Sequence, residues 1–527
     1  MRHRFTSAVL GCALTALVAT ACNDFLSGPG IDQDPNNVTD LANPGPIYVG
    51  LQNASANIFE GQLARISGMY TQQIAGVARQ FLGYDIYQSS SADLDPYWQA
   101  VFIGGGLFDA RKVQNLATAR GDSTTAGIAK VWEALIVGTA ADFWGDVPYR
   151  QAANREQFPN PAFDPQLQVY DDIQKKLDTA IVFLSKSGAT NLGPNGGGRT
   201  DELIYEGRNA AALRAKYTEV AYTLKARYYL HTAEVTPANY ALAGAAALNG
   251  IKADSNDFLL SHRDAAANNN VHYQFYFNRG DVLPGAAYIN LVKKRIAAGV
   301  DNVERLRFHF YNICYVEPGD GPEPDDPNFY FGYRPAADQN LPGGEGAPAG
   351  AECDDEDAEG SFSDFFWIGN DPTLRTPLIT YVENQLILAE ASYRGAGSGT
   401  DVAAAQPFLN NARANPKYGT KEFTPLPGTV PATLQNIIEE KYVSLFLNPE
   451  VWSDFKRTCF PFIAPAPSQV DGSEPGTEIA GRVPYGLSEI STNGANVPTG
   501  PTSRSRNAND PQACPRYTYA PGPTQAY

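Results

Sequence analysis

Residues 131–149 read VWEALIVGTAADFWGDVPY, and they contain both a helix and the signal that ends it. Four residues spaced by steps of four, three and four share one face of the helix: Trp132, Ile136, Thr139 and Phe143. The GDVP that follows ends the helix, because glycine can take a left-handed cap and proline cannot continue the helix. The stretch therefore predicts a helix over 128–144 with an abrupt stop.

The same spacing continues on both sides of this stretch. It recurs in four further stripes: Tyr170, Ile173, Leu177, Ile181 and Leu184; Leu213, Tyr217, Val220, Leu224 and Tyr228; Leu378, Val382, Leu386, Ala389 and Tyr393; and Ile438, Tyr442 and Leu445. The predicted helices come in pairs: 101–118 with 128–144, 209–233 with 237–248, and 378–394 with 401–414. Alanines on their faces would let neighbouring helices approach closely, as tetratricopeptide-type repeats require. Since no strict period is visible, an irregular bundle stays an alternative to stacked helical hairpins.

The composition is that of a folded globular protein. Hydrophobic residues make up 43% of the 527 residues and charged residues 18%, which excludes a disordered or collagen-like chain. The net charge of −17 repels phosphate backbones, so we expect no nucleic-acid partner. Long loop-rich insertions at 185–202, 252–372 and 458–527 separate the helix pairs, and loops of that size usually carry function.

The first residues have the features of an export signal. Arg2 and Arg4 precede an uncharged, mostly apolar stretch over 6–21 that is short for a bilayer span. This stretch ends in LVATAC at 17–22, which resembles the lipobox of bacterial lipoproteins.

These features divide the chain into three parts. We expect residues 1–21 to be a lipoprotein signal peptide that is removed, and Cys22 to become the acylated first residue. Residues 22–43 are polar and turn-rich and predict a tether, and residues 44–527 predict a single helical domain. An ordinary signal peptide cut at an Ala-x-Ala site is the alternative.

Four further cysteines lie in the exported part of the chain: Cys314, Cys353, Cys459 and Cys514. Export permits disulfides, and four cysteines allow three pairings. We favour Cys314 with Cys353 and Cys459 with Cys514, because each pair lies within one loop region. No two of these cysteines form a Cys-x-x-Cys motif, so we expect no structural zinc site.

Several motifs stand in the order of one known family. They lie at 22–26, 143–149, 170–184, 213–231, 375–391 and 438–457. FWGDVPY at 143–149 is similar to the "yGdvPy" landmark of the SusD/RagB family, the nutrient-binding outer-membrane lipoproteins. Glu440-Lys441 and the LNPE at 447–450 replace the commoner Glu-Arg and Phe-Glu-Gly, which resembles a less characterised branch of that family.

This resemblance implies a mainly α protein, in which tetratricopeptide-like hairpins form a superhelix with long loop insertions. It implies a lipid-anchored protein of the outer membrane that faces the cell exterior. It further implies that the protein captures a glycan or another nutrient, passes it to a SusC-like TonB-dependent transporter, and has no catalytic activity or cofactor. The alternatives are a non-catalytic scaffold or assembly lipoprotein and, third, a surface glycoside hydrolase.

A glycan site needs aromatic faces for the apolar side of a sugar and a few polar groups for its hydroxyls. The informative aromatics are those in predicted loops, at 81–88, 273–279, 329–334 and 362–367. From them we predict ligand contacts at Tyr84, Tyr87, Tyr276, Arg279, Tyr333 and Trp367. Packing within the loops is the alternative for each of them.

We expect no metal site. The acidic stretches at 317–326 and 354–359 lack the spacing of a calcium-binding EF-hand, and a solvated loop explains them better. Three histidines, His262, His272 and His309, are scattered along the chain, and no pattern typical of catalytic residues surrounds them.

Overall fold

In a computed structural model of the chain, the stretch at 131–149 forms the end of a long helix and the turn behind it. The helix spans Ser123–Trp144 and begins at Asp122, whose side chain accepts a hydrogen bond from the N–H of Thr125 (2.9 Å). It ends where Gly145 has a φ of +78°, a left-handed conformation that glycine adopts without steric cost. Nearly all of its side chains are buried, so this helix lies at the centre of the fold.

The structure describes residues 43–188, 190, 192, 201–266, 268–312, 327, 330, 332, 333, 335, 363–365, 367–395, 400–468, 476–502, 505–512 and 514. Of residues 311, 312, 363–365, 367 and 368 only the backbone is described. The chain divides into a unit of residues 1–44 and a unit of residues 45–527. The elements below belong to the second unit, apart from Pro44 at the start of the first helix.

The described helices are α1 (Pro44–Phe59), α2 (Gln62–Tyr70), α3 (Gln80–Asp85), α4 (Ser91–Phe102), α5 (Leu107–Ala119), α6 (Ser123–Trp144), α7 (Gln166–Leu184), α8 (Ala210–His231), α9 (Asn239–Ala247), α10 (Val271–Tyr276), α11 (Ala286–Ala297), α12 (Glu304–His309), α13 (Trp367–Asn370), α14 (Tyr381–Arg394), α15 (Val402–Ala414), α16 (Leu434–Ser444), α17 (Glu450–Thr458) and α18 (Leu487–Asn493). The described strands are β1 (Ile74–Gly76), β2 (Phe258–Leu259), β3 (Val282–Pro284), β4 (Phe310–Asn312), β5 (Ser363–Phe365), β6 (Pro377–Ile379), β7 (Lys417–Tyr418) and β8 (Lys421–Glu422). The fold is mainly α, as the sequence predicts.

The helices that pack on one another are mostly consecutive in the chain, except that α9 packs on the distant α14. α5 packs on α6, α6 on α7, α7 on α8, α8 on α9, α9 on α14, and α14 on α15. Each predicted pair of helices therefore exists, with ends that differ from the prediction by a few residues. Whether these pairs form tetratricopeptide-like repeats stays a prediction.

The strands form four two-stranded antiparallel ribbons, β1–β3, β2–β6, β4–β5 and β7–β8. In the first ribbon Ile74 lies opposite Pro284 and Gly76 opposite Val282. This pairing joins chain segments that are about two hundred residues apart, and it places α3 close to α10.

Charged side chains buried between the helices are paired. Glu440 of α16 accepts hydrogen bonds from Arg305 of α12 (2.5 Å), Arg413 of α15 (2.7 Å) and Arg295 of α11. Burial alone would raise the pKa of the Glu440 carboxyl, but the three guanidinium groups hold it well below its usual range. Loss of one partner would leave a buried charge unpaired, so this cluster holds four helices together.

A disulfide joins Cys459, just beyond α17, to Cys514 in the C-terminal segment. The other favoured pair, Cys314 and Cys353, lies outside the described residues. Within the described part of the chain, no helix combines the length and the apolar character needed to cross a membrane.

Candidate ligand-binding site

Residues predicted to bind ligand lie around the β1–β3 ribbon. Tyr333 donates from its backbone N–H to a carbonyl at the end of β3 (2.8 Å). Tyr84 on α3 packs edge to face on Phe81, with ring centroids 5.6 Å apart, and Phe81 packs in the same way on Phe275 of α10 (5.3 Å). Tyr276 follows in the same short helix. The ribbon therefore brings distant predicted residues into one region.

The four predicted tyrosines are buried rather than open to solvent. At most 8% of each residue is exposed for Tyr84, Tyr87, Tyr276 and Tyr333. Tyr87, for example, packs edge to face on Tyr70, and its hydroxyl accepts a hydrogen bond from the N–H of Ala466 (3.0 Å). Tyr84, Tyr87 and Tyr276 lack open ring faces because they pack into the main hydrophobic core, which loop composition does not reveal.

The other two predicted residues differ from the tyrosines. Arg279 has a side chain that is 47% exposed, so it is open to a ligand. Trp367 begins α13, which packs against α10, and its side chain lies outside the described residues.

A stacked aromatic pair is formed by the half-buried Tyr273 of α10 and the exposed Phe277, which directly follows that helix. The rings of Tyr273 and Phe277 are nearly parallel, with an angle of 22° between them and 5.3 Å between centroids. Phe277 is 62% exposed, whereas its neighbour Tyr276 is buried. The sequence analysis predicts a ligand contact at Tyr276 and not at Phe277. The spacing of four residues between Tyr273 and Phe277 nevertheless indicates that these two rings share one side of a helix.

Two arginines share a carboxylate at Asp281, just before β3. Arg79 and Arg279 both approach Oδ2 of Asp281, at 3.4 and 3.5 Å, and both remain largely exposed. Two guanidinium groups share one carboxylate, which leaves donor N–H groups free to reach a ligand. We call the residues Tyr273, Phe277, Arg79, Arg279 and Asp281 the Phe277 surface.

The backbone at Arg79 is strained. Its φ of +54° and ψ of −137° lie outside the regions that residues other than glycine usually adopt. Such strain persists only where the surroundings impose it, and it is common at binding sites. Here the N–H groups of Val77 and Ala78 both donate to the carbonyl of Asp281, which ties this segment to the segment before β3.

The start of α10 is held by buried polar groups. The side chain of Asn270 accepts hydrogen bonds from the N–H groups of His272 (2.8 Å) and Tyr273 (3.1 Å), as a helix cap does. Glu60 accepts from the N–H of Val271 (3.0 Å). Burial lowers the pKa of His272 to about 4, so its ring is neutral at physiological pH. These contacts fix the direction in which α10 presents its aromatic pair.

A groove of about 240 Å³ lies along another side of α10. Amide side chains dominate its polar lining: Gln52, Asn53, Asn57, Asn268, Asn269 and Gln274. Amides both donate and accept hydrogen bonds, as sugar hydroxyls do. An aromatic face, two arginines and an amide-lined groove together suit a polar ligand with an apolar side.

One buried cluster has the residue types of a metal site. Ligand atoms of Asp142, His231 and Glu450 lie within 4.8 Å of one another, and no other such group occurs among the described residues. Asp142 and Glu450, however, contact different ring nitrogens of His231, at 2.8 and 2.9 Å. Although burial opposes it, the two carboxylates raise the pKa of His231 to about 9. The cluster is thus best described as a protonated histidine that bridges two carboxylates.

Within the described ranges, the remaining histidines belong to no group that could hold a metal ion. His262 pairs with Glu60 (2.7 Å). Burial, with help from Arg305, lowers the pKa of His309 to about 3. The acidic stretches considered for calcium, 317–326 and 354–359, lie outside the described residues.

Comparison with known families gives one match that covers most of the chain. Residues 36–294 and 323–486 match the sequence model of the SusD-like family described as "Starch-binding associating with outer membrane". No curated protein matches the sequence.

Solved structures share the fold at low sequence identity. A SusD/RagB family protein from Bacteroides thetaiotaomicron superposes with a TM-score of 0.60 at 19% identity, covering 85% of this chain and 94% of its own. A SusD homolog from Bacteroides uniformis gives 0.64 at 16% identity, covering 90% and 100%. A chitin-binding SusD homolog from Flavobacterium johnsoniae gives 0.63 at 17% identity, covering 89% and 99%.

Proposed function

The chain belongs to the SusD-like family, and from this premise we propose that it captures a glycan at the Phe277 surface and passes it to a TonB-dependent transporter of the outer membrane. The family is associated with the outer membrane and is described as starch-binding. One solved structure with the same fold is named a chitin-binding homolog. Starch and chitin are both glycans, which supports the ligand class rather than one particular sugar.

The exposed ring of Phe277 is the observation that carries this proposal. A sugar has an apolar side made of C–H groups, and an aromatic ring open to solvent offers a flat surface that matches it. Arg79 and Arg279 lie close enough to share Asp281, so their free N–H groups can bind hydroxyls around the stacked sugar. Tyr84, Tyr276 and Tyr333 would support this surface from below, and Trp367 stays a proposed ligand contact.

Substitution of Phe277 tests the proposal. Phe277→Ala should weaken binding of a chitin or starch oligosaccharide about tenfold, because loss of one aromatic contact costs roughly 1.5 kcal/mol. Isothermal titration calorimetry with both oligosaccharide series measures the change. Phe108→Ala removes a comparably exposed ring on α5 and should leave the affinity unchanged.

Three outcomes would contradict the proposal. Equal affinity of wild type and Phe277→Ala would place the glycan elsewhere. No binding across a broad glycan panel would favour the scaffold alternative. Shortened oligosaccharides after prolonged incubation would favour the hydrolase, since a capture protein returns its ligand unchanged.

We further propose that the protein carries a lipid anchor and that a TonB-dependent transporter is its partner. The LVATAC sequence at 17–22 supports acylation of Cys22, and the family description supports a place at the outer membrane. Metabolic labelling with a fatty acid tests the anchor. Isolation of the protein from outer membranes together with a TonB-dependent barrel tests the partner, and its purification without any barrel would contradict the handover.

A further inference from the structure

A second cavity, of about 450 Å³, lies apart from the Phe277 surface and shares no residue with it. It is bounded by the segment before α8, by the turn at Asp254–Asn256 and by the β7–β8 ribbon. Its charged lining residues are Glu206, Arg208, Lys216, Asp254, Asp257, Arg375, Lys417 and Glu422. The volume falls within the range of about 300–1,000 Å³ that small-molecule sites occupy.

Arg375 supplies an oriented positive charge in this cavity. Its Nη2 donates to the carbonyls of Ile204 (2.7 Å) and Leu259 (3.1 Å), which fixes the plane of the guanidinium group. Its Nε is buried without an acceptor, and the side chain forms an ion pair with no carboxylate of the described residues. Burial lowers the pKa of this guanidinium, as expected for a charge without a close counter-charge.

Two further cations, Lys216 and Arg208, line the same cavity. Lys216 donates to the carbonyl of Ser255 (2.7 Å) and lies 5.0 Å from the ring centroid of Tyr205. Burial lowers the pKa of Lys216, and the nearby positive charge of Arg208 adds to the effect. Arg208 is exposed at the cavity wall. Within the described part of the chain, neither of these cations forms an ion pair.

Three of the four acidic side chains of the cavity form ion pairs, two of them with the same lysine. Lys417 pairs with Asp257 (3.0 Å) and Asp254 (3.4 Å). Glu206 pairs with Arg263 outside the cavity (3.2 Å). Glu422 is exposed. Because Lys417 offsets the charge of only one of its two aspartates, Arg208, Lys216 and Arg375 face two carboxylate charges, in a chain whose net charge is −17.

We propose that this cavity is a second saccharide site, specific for an acidic sugar unit whose carboxylate binds Arg375. A guanidinium group held in one plane matches the two oxygens of a carboxylate, and such charge-assisted pairs are strong. Ser261 and Thr420 in the lining can bond the hydroxyl groups of the same sugar. The proposal goes beyond glycan capture at the Phe277 surface, and it concerns separate residues and a separate ligand feature.

Calorimetry with trigalacturonate and with its methyl ester tests this site on the full chain. The two ligands share every ring and differ in the charge of the carboxyl groups. Wild type should bind the free acid at least about tenfold more tightly than the ester, because a hydrogen bond between charged groups is stronger than one to a neutral ester. Arg375→Gln and Arg208→Gln should each remove most of that preference.

Two controls keep the test decisive. Arg375→Gln also loses bonds to two backbone carbonyls, so circular dichroism must show that it is folded. Arg208→Gln removes an exposed side chain and tests the site even if the first variant fails to fold. Arg155→Gln removes an exposed arginine outside the cavity and should bind like wild type.

The possible results separate this site from the proposed function. Equal binding of acid and ester, or an unchanged preference in both cavity variants, would overturn the acidic-sugar site while neutral glycan binding at Phe277 could still stand. A preference that Phe277→Ala abolishes and Arg208→Gln leaves intact would move the acid to the Phe277 surface and would also overturn it. Tight binding of an acidic peptide, with none of trigalacturonate, would replace the sugar by a peptide carboxylate.

Discussion

His231 is a buried residue whose charge is set by its neighbours. Its ring nitrogens contact Asp142 at 2.8 Å and Glu450 at 2.9 Å, and its side chain is fully buried. Burial would favour the neutral ring, but two carboxylates outweigh it and raise the pKa to about 9. Lys441 and Arg227 also face Glu450, so the histidine belongs to a network of buried ions.

This raised pKa predicts a pH dependence of stability. The folded protein holds the proton of His231 more tightly than the unfolded chain does. The stabilisation is therefore complete below about pH 6.5 and is lost as the pH rises through about 9. We expect the stability difference between wild type and His231→Gln to shrink by about 3 kcal/mol over that interval, as measured by urea unfolding at several pH values.

His272→Gln is the matched control for this prediction. Burial lowers the pKa of His272 to about 4, so its ring is neutral in both folded and unfolded protein above about pH 7. Its stability difference from wild type should stay constant between pH 7 and pH 9. A constant difference for His231→Gln as well would contradict a protonated His231.

Among the helices, the crossing of α6 and α8 depends on one glycine. A Cβ atom at Gly138 of α6 would lie 2.2 Å from the ring of Tyr228 on α8. The hydroxyl of Tyr228 donates to the carbonyls of Ala134 (3.2 Å) and Leu135 (3.3 Å) in α6. The ring is therefore held against the helix, and it cannot move aside at low cost.

Gly138→Ala should destabilise the protein by about 1–3 kcal/mol, because the added methyl group overpacks this crossing. Gly50→Ala provides the matched control, since Gly50 lies within α1 and a Cβ atom there meets no atom within 4 Å. That change should stabilise the protein by about 0.5–1 kcal/mol, because alanine favours helix over glycine. Urea unfolding measures both variants, and a loss of stability in both would argue against the close crossing.

At this scale the sequence predicted the long helices and missed the short ones. Steps of three and four residues identified the helix over Gln166–Leu184 and the end of α6 near Trp144. α3 and α10 contain six residues each, too few for a periodic pattern to be recognised. The pattern alone therefore does not establish that Tyr276 is buried and Phe277 exposed.

In the whole molecule, the C-terminal segment lies across helices from the first half of the chain. Trp144 donates from its indole N–H to the carbonyl of Pro484 (2.8 Å). Asn509 donates to the carbonyl of His231 (2.9 Å). The disulfide of Cys459 with Cys514 closes this segment onto α17.

Removal of that disulfide should lower stability without changing the fold. We expect Cys459→Ser combined with Cys514→Ser to lose about 2–4 kcal/mol, because the cross-link restricts the unfolded chain. The unfolding midpoint in urea measures the loss. Wild type treated with a reductant should match the double variant, and an unchanged midpoint in both would show that this link carries no stability.

The sequence by itself determined the long helices, their pairing and the acidic net charge. Such properties depend on residue types and on spacings of a few positions, which local chemistry sets. Only the tertiary structure decided which aromatic rings are exposed and which cations lack a partner. Burial and ion pairing depend on residues far apart in the chain, as β1 with β3 and Arg375 with the carbonyl of Ile204 illustrate.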